Sequence, residues 1–220
     1  KGEVVTLPEV NTIADGTAVK TPGSEIFPYL KENLDEIITV ADEELIVAFL
    51  DMVENHKMVV ENSGLLTVAA LKHLDVKDKK IVAILSGGNM DIITMSSVVQ
   101  QGLIMRDRIF TVSVLLPDKP GELCRVSGIL AEQNGNVIKL EHNQFVSTNR
   151  SAAVELRITV EAFGTDHKNQ IMDALYDIAQ DRFVVFVRRL ELGATDHQRR
   201  AKHHDFRANV ERFDRLVDAQ

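Results

Sequence analysis

The chain has 220 residues and a mass of 24.5 kDa, with 45% hydrophobic and 26% charged residues. That composition excludes a disordered tail and fits one large or two small globular domains. A net charge of −8 discourages nonspecific binding to nucleic-acid phosphates, and no run approaches the roughly eighteen apolar residues of a membrane span. The start, Lys1-Gly2-Glu3, has no signal-peptide character, so cytoplasm is the expected compartment. Because the sequence opens on Lys just before the strand-like Glu3-Val4-Val5-Thr6-Leu7, it reads as a piece of a longer protein. One cysteine, Cys124, and the absence of any Cys/His cluster with zinc spacing argue against disulfides and against a structural metal.

In chain order, Thr39-Val40-Ala41-Asp42 resembles a capping box, and Leu45, Ala48, Phe49 and Met52 recur at helical spacing behind it. A short apolar run, Met58-Val59-Val60, precedes a predicted helix from about Ser63 to His73. Ile81-Val82-Ala83-Ile84-Leu85 then reads as a strand buried on both faces, giving a βαβ unit. A helix is expected from about Asp91 to Gln100. Beyond Gly102 the pattern changes: a strand over Phe110 to Leu116, a helix carrying Leu123, Val126, Ile129 and Leu130 that stops at Asn134-Gly135, and strands over 137–146 and 153–162 joined by a turn at 147–150. In the last of these Val154, Leu156, Ile158 and Val160 alternate with Glu155, Arg157, Thr159 and Glu161, predicting one buried face and one wet face. A second helix with Ile171, Leu175 and Ile178, and a strand over 183–187, complete a ferredoxin-like βαββαβ order.

Ser86-Gly87-Gly88-Asn89 lies between the apolar strand and a helix. Two glycines let the backbone approach a ligand closely while Ser86 and Asn89 offer hydrogen bonds; equally, the same residues suit a tight turn in which Ser and Asn cap the helix. The loop Asp118-Lys119-Pro120-Gly121-Glu122 opens a helix whose amides can hold a carboxylate, or is a plain proline-glycine turn. Cys124 reads as a packed thiol rather than a nucleophile, His203-His204 lack ligand spacing, and the sequon at Asn149-Arg150-Ser151 is discarded for want of a signal peptide.

Thr12-Ile13-Ala14-Asp15-Gly16 followed by Pro22-Gly23, then Thr39 to Glu44, Glu61-Asn62-Ser63-Gly64 and Ser86-Gly87-Gly88-Asn89, resemble in that order the pyridoxal-phosphate-dependent threonine ammonia-lyases. The region from about Arg108 resembles an ACT domain, the regulatory module that such enzymes often carry, and together the match reaches about Ile178. The resemblance implies an α/β fold: the C-terminal portion of a tryptophan-synthase-β-like domain over residues 1–106, an ACT domain over 107–188, and an atypical tail over 189–220. It implies pyridoxal 5'-phosphate in the complete enzyme, with Ser86 facing the pyridine nitrogen and Gly87, Gly88 and Asn89 lining the same site. Glu61 and the Ala14-Asp15-Gly16 turn would border that pocket without a defined role. L-Threonine would be the substrate, converted to 2-oxobutanoate and ammonia. An effector, isoleucine or valine or else a nucleotide such as AMP, would bind near Asp118, Gly121, Glu122 and Leu123 and near Asn136, Val137 and Ile138, often across a pair of domains in a homo-oligomer. Neither a nucleic-acid nor a membrane partner is expected.

Two family features are missing from these 220 residues: no lysine has Ser two positions before it, and Gly87-Gly88 is the only glycine pair. The covalent anchor and the phosphate loop are therefore absent, no catalytic residue is assigned, and the chain alone is expected to be inactive. The competing reading is a non-enzymatic amino-acid-binding regulator. Residues 1–180 hold 16 Lys and Arg against 26 Asp and Glu, whereas the last forty hold 9 against 7 and prefer Arg. That seam near Gln180 is read as a change of reading frame in preference to a partner-binding helix carrying Phe206, Val210, Phe213 and Val217.

Overall fold

A computed structural model describes residues 2–144, 154–179 and 184–188. The expected turn at 147–150, the sequon, the seam near Gln180 and the tail with its candidate helix lie outside the described residues. The chain divides into two compact units, 1–102 and 103–220.

The first unit is built around helix α2 (Asp42–Asp51), preceded by the short α1 (Phe27–Asn33). At the N-terminus of α2 the Glu44 carboxylate accepts the Ala41 N–H at 2.9 Å. That is half of a capping box, because Ala41 has no side-chain oxygen to return the bond. This bond, together with the one to His73, holds the Glu44 carboxyl below the ordinary glutamate range. Asp42 turns outward to the preceding segment, taking the Thr12 hydroxyl at 2.5 Å and the Ile13 N–H at 3.1 Å. Leu45, Ala48, Phe49 and Met52 form one stripe and pack with Ala14, Val60, Leu65, Ala69 and Val98. Residues 62–73 are helical in three short pieces, with α3 (Leu66–Ala69) between 3-10 turns. Helix α4 (Ile92–Met105) closes this unit, and Gly102 lets it lie on Leu50 and Ile46, where an added Cβ would come within 2.5 Å of Leu50 Cδ1.

The expected βαβ unit is corrected here. Residues 58–60 and 81–85 form no strand ladder among the described residues, and Val82 and Ile84 are 88% and 70% exposed rather than buried on both faces. A strand is defined by its neighbours' hydrogen bonds. Those that reach residues 84–87 come instead from the Thr67 hydroxyl to the Ile84 carbonyl and the Glu61 N–H to the Gly87 carbonyl.

The second unit has the βαββαβ order: β1 (Ile109–Leu116), α5 (Glu122–Glu132), β2 (Asn136–Asn143), β3 (Val154–Glu161), α6 (Thr165–Ala179) and β4 (Val184–Arg188). The strands lie in the order β2-β3-β1-β4, with every pair antiparallel. Phe110, Val112, Val114 and Leu116 of β1 and Val154, Leu156, Ile158 and Val160 of β3 pack on Val126, Ile129 and Leu130 of α5 and Ile171, Met172 and Leu175 of α6. Helix α5 ends in a Schellman turn. Asn134, at φ 56°, gives its N–H to Ala131, and the Gly135 N–H reaches the Leu130 carbonyl at 2.8 Å. A Cβ on Gly135 would sit 3.2 Å from both Ile171 and Val160, so the small residue also lets α6 and β3 close over the turn.

One expectation holds only in part in this unit and another fails. The second face of β1 is buried at Thr111, Ser113 and Leu115, and Glu155 of β3 is buried beside it, whereas Arg157 and Thr159 are half-buried and Glu161 is exposed. Polar alternation here marks side chains bonded to one another, as in the 2.9 Å Thr111–Thr159 hydroxyl pair and the Glu141–Arg157–Glu155 ladder. Cys124 is exposed, because it falls off the Val126-Ile129-Leu130 stripe that α5 buries.

Asp107 joins β1 to α6, accepting Lys168 Nζ at 2.6 Å and the Thr165 hydroxyl at 2.9 Å. Partial burial pushes its carboxyl pKa up, but these two donors outweigh that and leave it below the ordinary aspartate value. A carboxylate depressed in the folded state stabilises it above the unfolded pKa of about 3.9, and that stabilisation fades as pH falls through the folded value. Asp107→Asn is therefore expected to destabilise the chain by about 1 kcal/mol near neutral pH, with the gap closing as pH drops below about 4. Urea midpoints of the two proteins, measured down the pH scale, check this; a gap independent of pH would contradict the ion pair.

Candidate functional site

Ser86-Gly87-Gly88-Asn89 leads into α4, and the structure separates the two readings of this segment. The α4 cap is Asp91: its carboxylate takes the N–H groups of Ile93 and Thr94 at 2.9 and 3.0 Å and also the Thr94 hydroxyl. The Thr94 hydroxyl and N–H hold the Asp91 carboxyl below the usual range. Ser86 and Asn89 are thus not needed as caps, and both are exposed. Gly87 stands at φ +80°, a conformation that glycine adopts without steric penalty.

Two of the other sequence segments named above gather at this loop. Gly64 lies against the Ser86 backbone so closely that an added Cβ would come within 1.9 Å of the Ser86 carbonyl oxygen. Glu61 places its carboxylate over Gly87, where a Cβ would be 2.4 Å from both carboxylate oxygens, and accepts the Asn89 N–H at 3.1 Å. The Asp15–Thr17 turn completes the group, with Gly16 beside Ser63 Oγ and Glu61 Oε1, and with the Asn62 amide donating to the Ile13 carbonyl at 3.0 Å.

The exposed Ser86 and Asn89 and the open space beside Gly88 suit a polar ligand approached closely by backbone. Asn62 Oδ1 and Ser63 Oγ are buried there without a hydrogen-bond partner among the described residues. A Cβ on Gly88 would find only the Val59 carbonyl oxygen, at 3.8 Å. The described residues contain no cluster of His, Cys, Asp and Glu able to hold a metal, and no helix long and apolar enough to cross a membrane.

The second candidate site does not assemble within one copy of the chain. Gly121, at φ 96°, faces open space, Asp118 and Leu123 are exposed, and Glu122 Oε2 is buried without a hydrogen bond among the described residues, 3.8 Å from Arg125. Asn136 donates to Glu161 at 2.9 Å, and Val137 and Ile138 are exposed on the edge strand β2. Asn136 and Ile109 both pair with Glu161, whereas the 117–121 turn follows Leu116, which pairs with Val154 at the far end of β3. The two halves therefore sit at opposite ends of the sheet, about 23 Å apart at roughly 3.3 Å per residue.

Residues 1–87 match the family described as pyridoxal-phosphate dependent enzyme, and residues 110–180 match the ACT domain. The chain thus carries a region that matches the pyridoxal-phosphate dependent enzymes followed by one that matches the ACT domain. It is 35% identical over 180 residues to L-threonine ammonia-lyase of Geobacter sulfurreducens, covering 81% of this chain and 45% of that protein. It is also 35% identical over 161 residues to the enzyme of the same name from Thermotoga maritima, covering 73% and 40%. Among solved structures it is similar to the processed form of threonine deaminase isoform 2 from Solanum lycopersicum, at 32% identity and a TM-score of 0.41 over 44% of this chain and 29% of that one. The chain spans less than half the length of each of these relatives.

Proposed function

We propose that this chain is the C-terminal portion of a threonine ammonia-lyase that converts L-threonine to 2-oxobutanoate and ammonia, with residues 1–106 contributing to the catalytic domain, 107–188 forming its regulatory ACT domain and 189–220 an added tail. The convergence of the 14–16, 61–64 and 86–89 segments, with Asn62 Oδ1 and Ser63 Oγ buried there and unpartnered among the described residues, carries this reading. It also favours an enzyme over a free-standing amino-acid-binding regulator, which has no use for such a loop. The bound cofactor supplies an electron sink for loss of the α-proton and β-hydroxyl of threonine. Ser86 would present a neutral hydroxyl to the pyridine nitrogen, a weaker partner than a carboxylate and one suited to elimination rather than transamination. Gly88, with only the Val59 carbonyl near its missing Cβ, would let the backbone meet the ring edge, while Gly87, whose missing side chain leaves room for the Glu61 carboxylate, and Asn89 would line the same site.

The anchor lysine and the phosphate-binding glycines would come from sequence outside these 220 residues, and the cytoplasm is the compartment proposed. The purified chain, mixed with pyridoxal phosphate and threonine, is expected to develop no bound-cofactor absorbance near the visible edge and to release no 2-oxobutanoate. Turnover by this chain alone would overturn the division of labour. In a protein extended to include the anchor lysine, both should be restored, and Ser86→Ala should weaken cofactor affinity about fivefold or more.

For the regulatory unit, the separation of Asp118, Gly121, Glu122 and Leu123 from Asn136, Val137 and Ile138 favours an effector held between two copies. Antiparallel pairing of two β2 edges brings the start of β2 in one copy to the β1–α5 turn of the other, and it covers the exposed Val137, Ile138 and Leu140. Calorimetric titration with isoleucine, valine and AMP, run beside sedimentation, tests this. Binding by a species that stays monomeric, or no binding to any of the three, would remove the shared site.

A further inference from the structure

Residues 84–89 have no strand ladder to hold them, yet the carbonyls of Ile84 and Gly87 and the N–H of Asn89 are all bonded to the 61–67 segment. The Thr67 hydroxyl donates to the Ile84 carbonyl at 2.9 Å, the Glu61 N–H to the Gly87 carbonyl at 3.4 Å, and the Asn89 N–H to Glu61 Oε2 at 3.1 Å. Between these bonds the Ser86 carbonyl rests against Gly64, with no room for a side chain. Glu61 thus grips the loop on both sides of Gly88, through its main chain at Gly87 and through its carboxylate at Asn89. It is also the only charged residue among 61–67 and 84–89. Its own frame is fixed in turn, because the Gly64 N–H donates to the Glu61 carbonyl at 3.0 Å and Gly16 borders Oε1.

We infer that Glu61 is the positioning residue of the candidate cofactor site: its carboxylate, bonded to the Asn89 N–H and seated over Gly87, holds Gly87 at positive φ and so aims the Ser86 hydroxyl at the ring. The inference rests on the reading that Ser86 meets the pyridine nitrogen, but the grip itself exists without the cofactor and can be measured without it. A carboxylate accepting a backbone N–H makes a stronger bond than a neutral acceptor does, and it prevents the loop from flipping to an ordinary turn. Glu61→Ala removes the acceptor and opens the space over Gly87. Glu61→Gln keeps an oxygen at the same reach and discards only the charge.

The test has two readouts. In the 220-residue chain without cofactor, amide hydrogen exchange at Asn89 is expected to accelerate about tenfold or more in Glu61→Ala and only about threefold in Glu61→Gln, the size of one charge-assisted bond against a neutral one. In the protein extended through the anchor lysine, Glu61→Ala should raise the pyridoxal-phosphate dissociation constant about tenfold and shift the absorbance maximum of the bound cofactor, with Glu61→Gln falling between it and the parent. Unchanged Asn89 exchange in Glu61→Ala overturns the inference. So does faster exchange with cofactor affinity and spectrum unaltered, provided Ser86→Ala does weaken binding. If Ser86→Ala has no effect while Glu61→Ala accelerates exchange, the assignment of Ser86 to the ring falls and takes the positioning role with it, leaving a purely structural clasp. Should Glu61→Ala fail to fold, the graded response of Glu61→Gln in both readouts decides the matter.

Discussion

Gly64→Ala is expected to destabilise the first unit by about 3 kcal/mol and to abolish ordered packing around the candidate site. An added methyl would lie 1.9 Å from the Ser86 carbonyl oxygen and 2.9 Å from both the Ser86 carbonyl carbon and Val60 Cγ1. The first two are backbone atoms and cannot swing aside as a lysine tip would. Relief requires moving residues 84–89 bodily, which breaks the bonds from Thr67 and Glu61 as well. Hydrogen exchange over residues 60–90 and the thermal midpoint check this, and native behaviour of the variant would mean that the close crossing does not exist. Gly128→Ala makes the opposite case. It lies inside α5 with nothing within 4 Å of the new Cβ, so the substitution should stabilise the helix by about 0.5–1 kcal/mol.

Ile158→Ala should cost the second unit about 3–4 kcal/mol. Ile158 is fully buried at the centre of β3, opposite Val112 on one side and Leu140 on the other, and its side chain belongs to the layer under α5 and α6. Removing three carbons there leaves a cavity that strands held on both edges cannot collapse into. A domain of this size has a total stability of only about 4–12 kcal/mol, so the loss is a large share of it. Ile158→Val, which removes a single methylene, should cost about 1 kcal/mol. Amide exchange across β1 and β3 and urea midpoints give the comparison, and equal effects of the two variants would place the stabilising contacts elsewhere.

The second unit was readable from sequence because its strands alternate cleanly and its helices are bounded by strong signals, Pro120-Gly121 before α5 and Asn134-Gly135 after it. The location of the Ser86-Gly87-Gly88-Asn89 loop was readable for a similar reason, since paired glycines between an apolar run and a helix mark a close approach. What approaches was not. Nothing in the spacing of Glu61 says that its carboxylate lies over Gly87 and accepts the N–H of Asn89, 28 places along the chain, because such contacts are set by tertiary path. The state of Ile81 to Leu85 was misjudged on similar grounds: apolarity at every position shows what a strand can bury against, and only the fold shows whether a neighbour is there. On the sheet's second face, polar residues mark solvent at Glu161 but cross-strand pairing at Thr111 and Thr159, and alternation alone does not distinguish the two. The two effector segments were grouped by family pattern, and the register of β1, β2 and β3 puts them at opposite ends.

The turn after α5 bears on how this protein ages. Asn134-Gly135 is a dipeptide prone to spontaneous deamidation, in which the glycine nitrogen gives up its proton, attacks the asparagine side-chain carbonyl carbon and expels the side-chain nitrogen as ammonia, closing a succinimide ring. Here that nitrogen's hydrogen is held by the Leu130 carbonyl at 2.8 Å, and Gly135 is wedged against Ile171 and Val160. The nucleophile is therefore occupied and the backbone cannot rotate into the ring geometry while the Schellman turn stays closed. Chemical damage at this position is gated by fraying of the last turn of α5, so the rate of charge-variant formation on storage reports the local opening of that helix end.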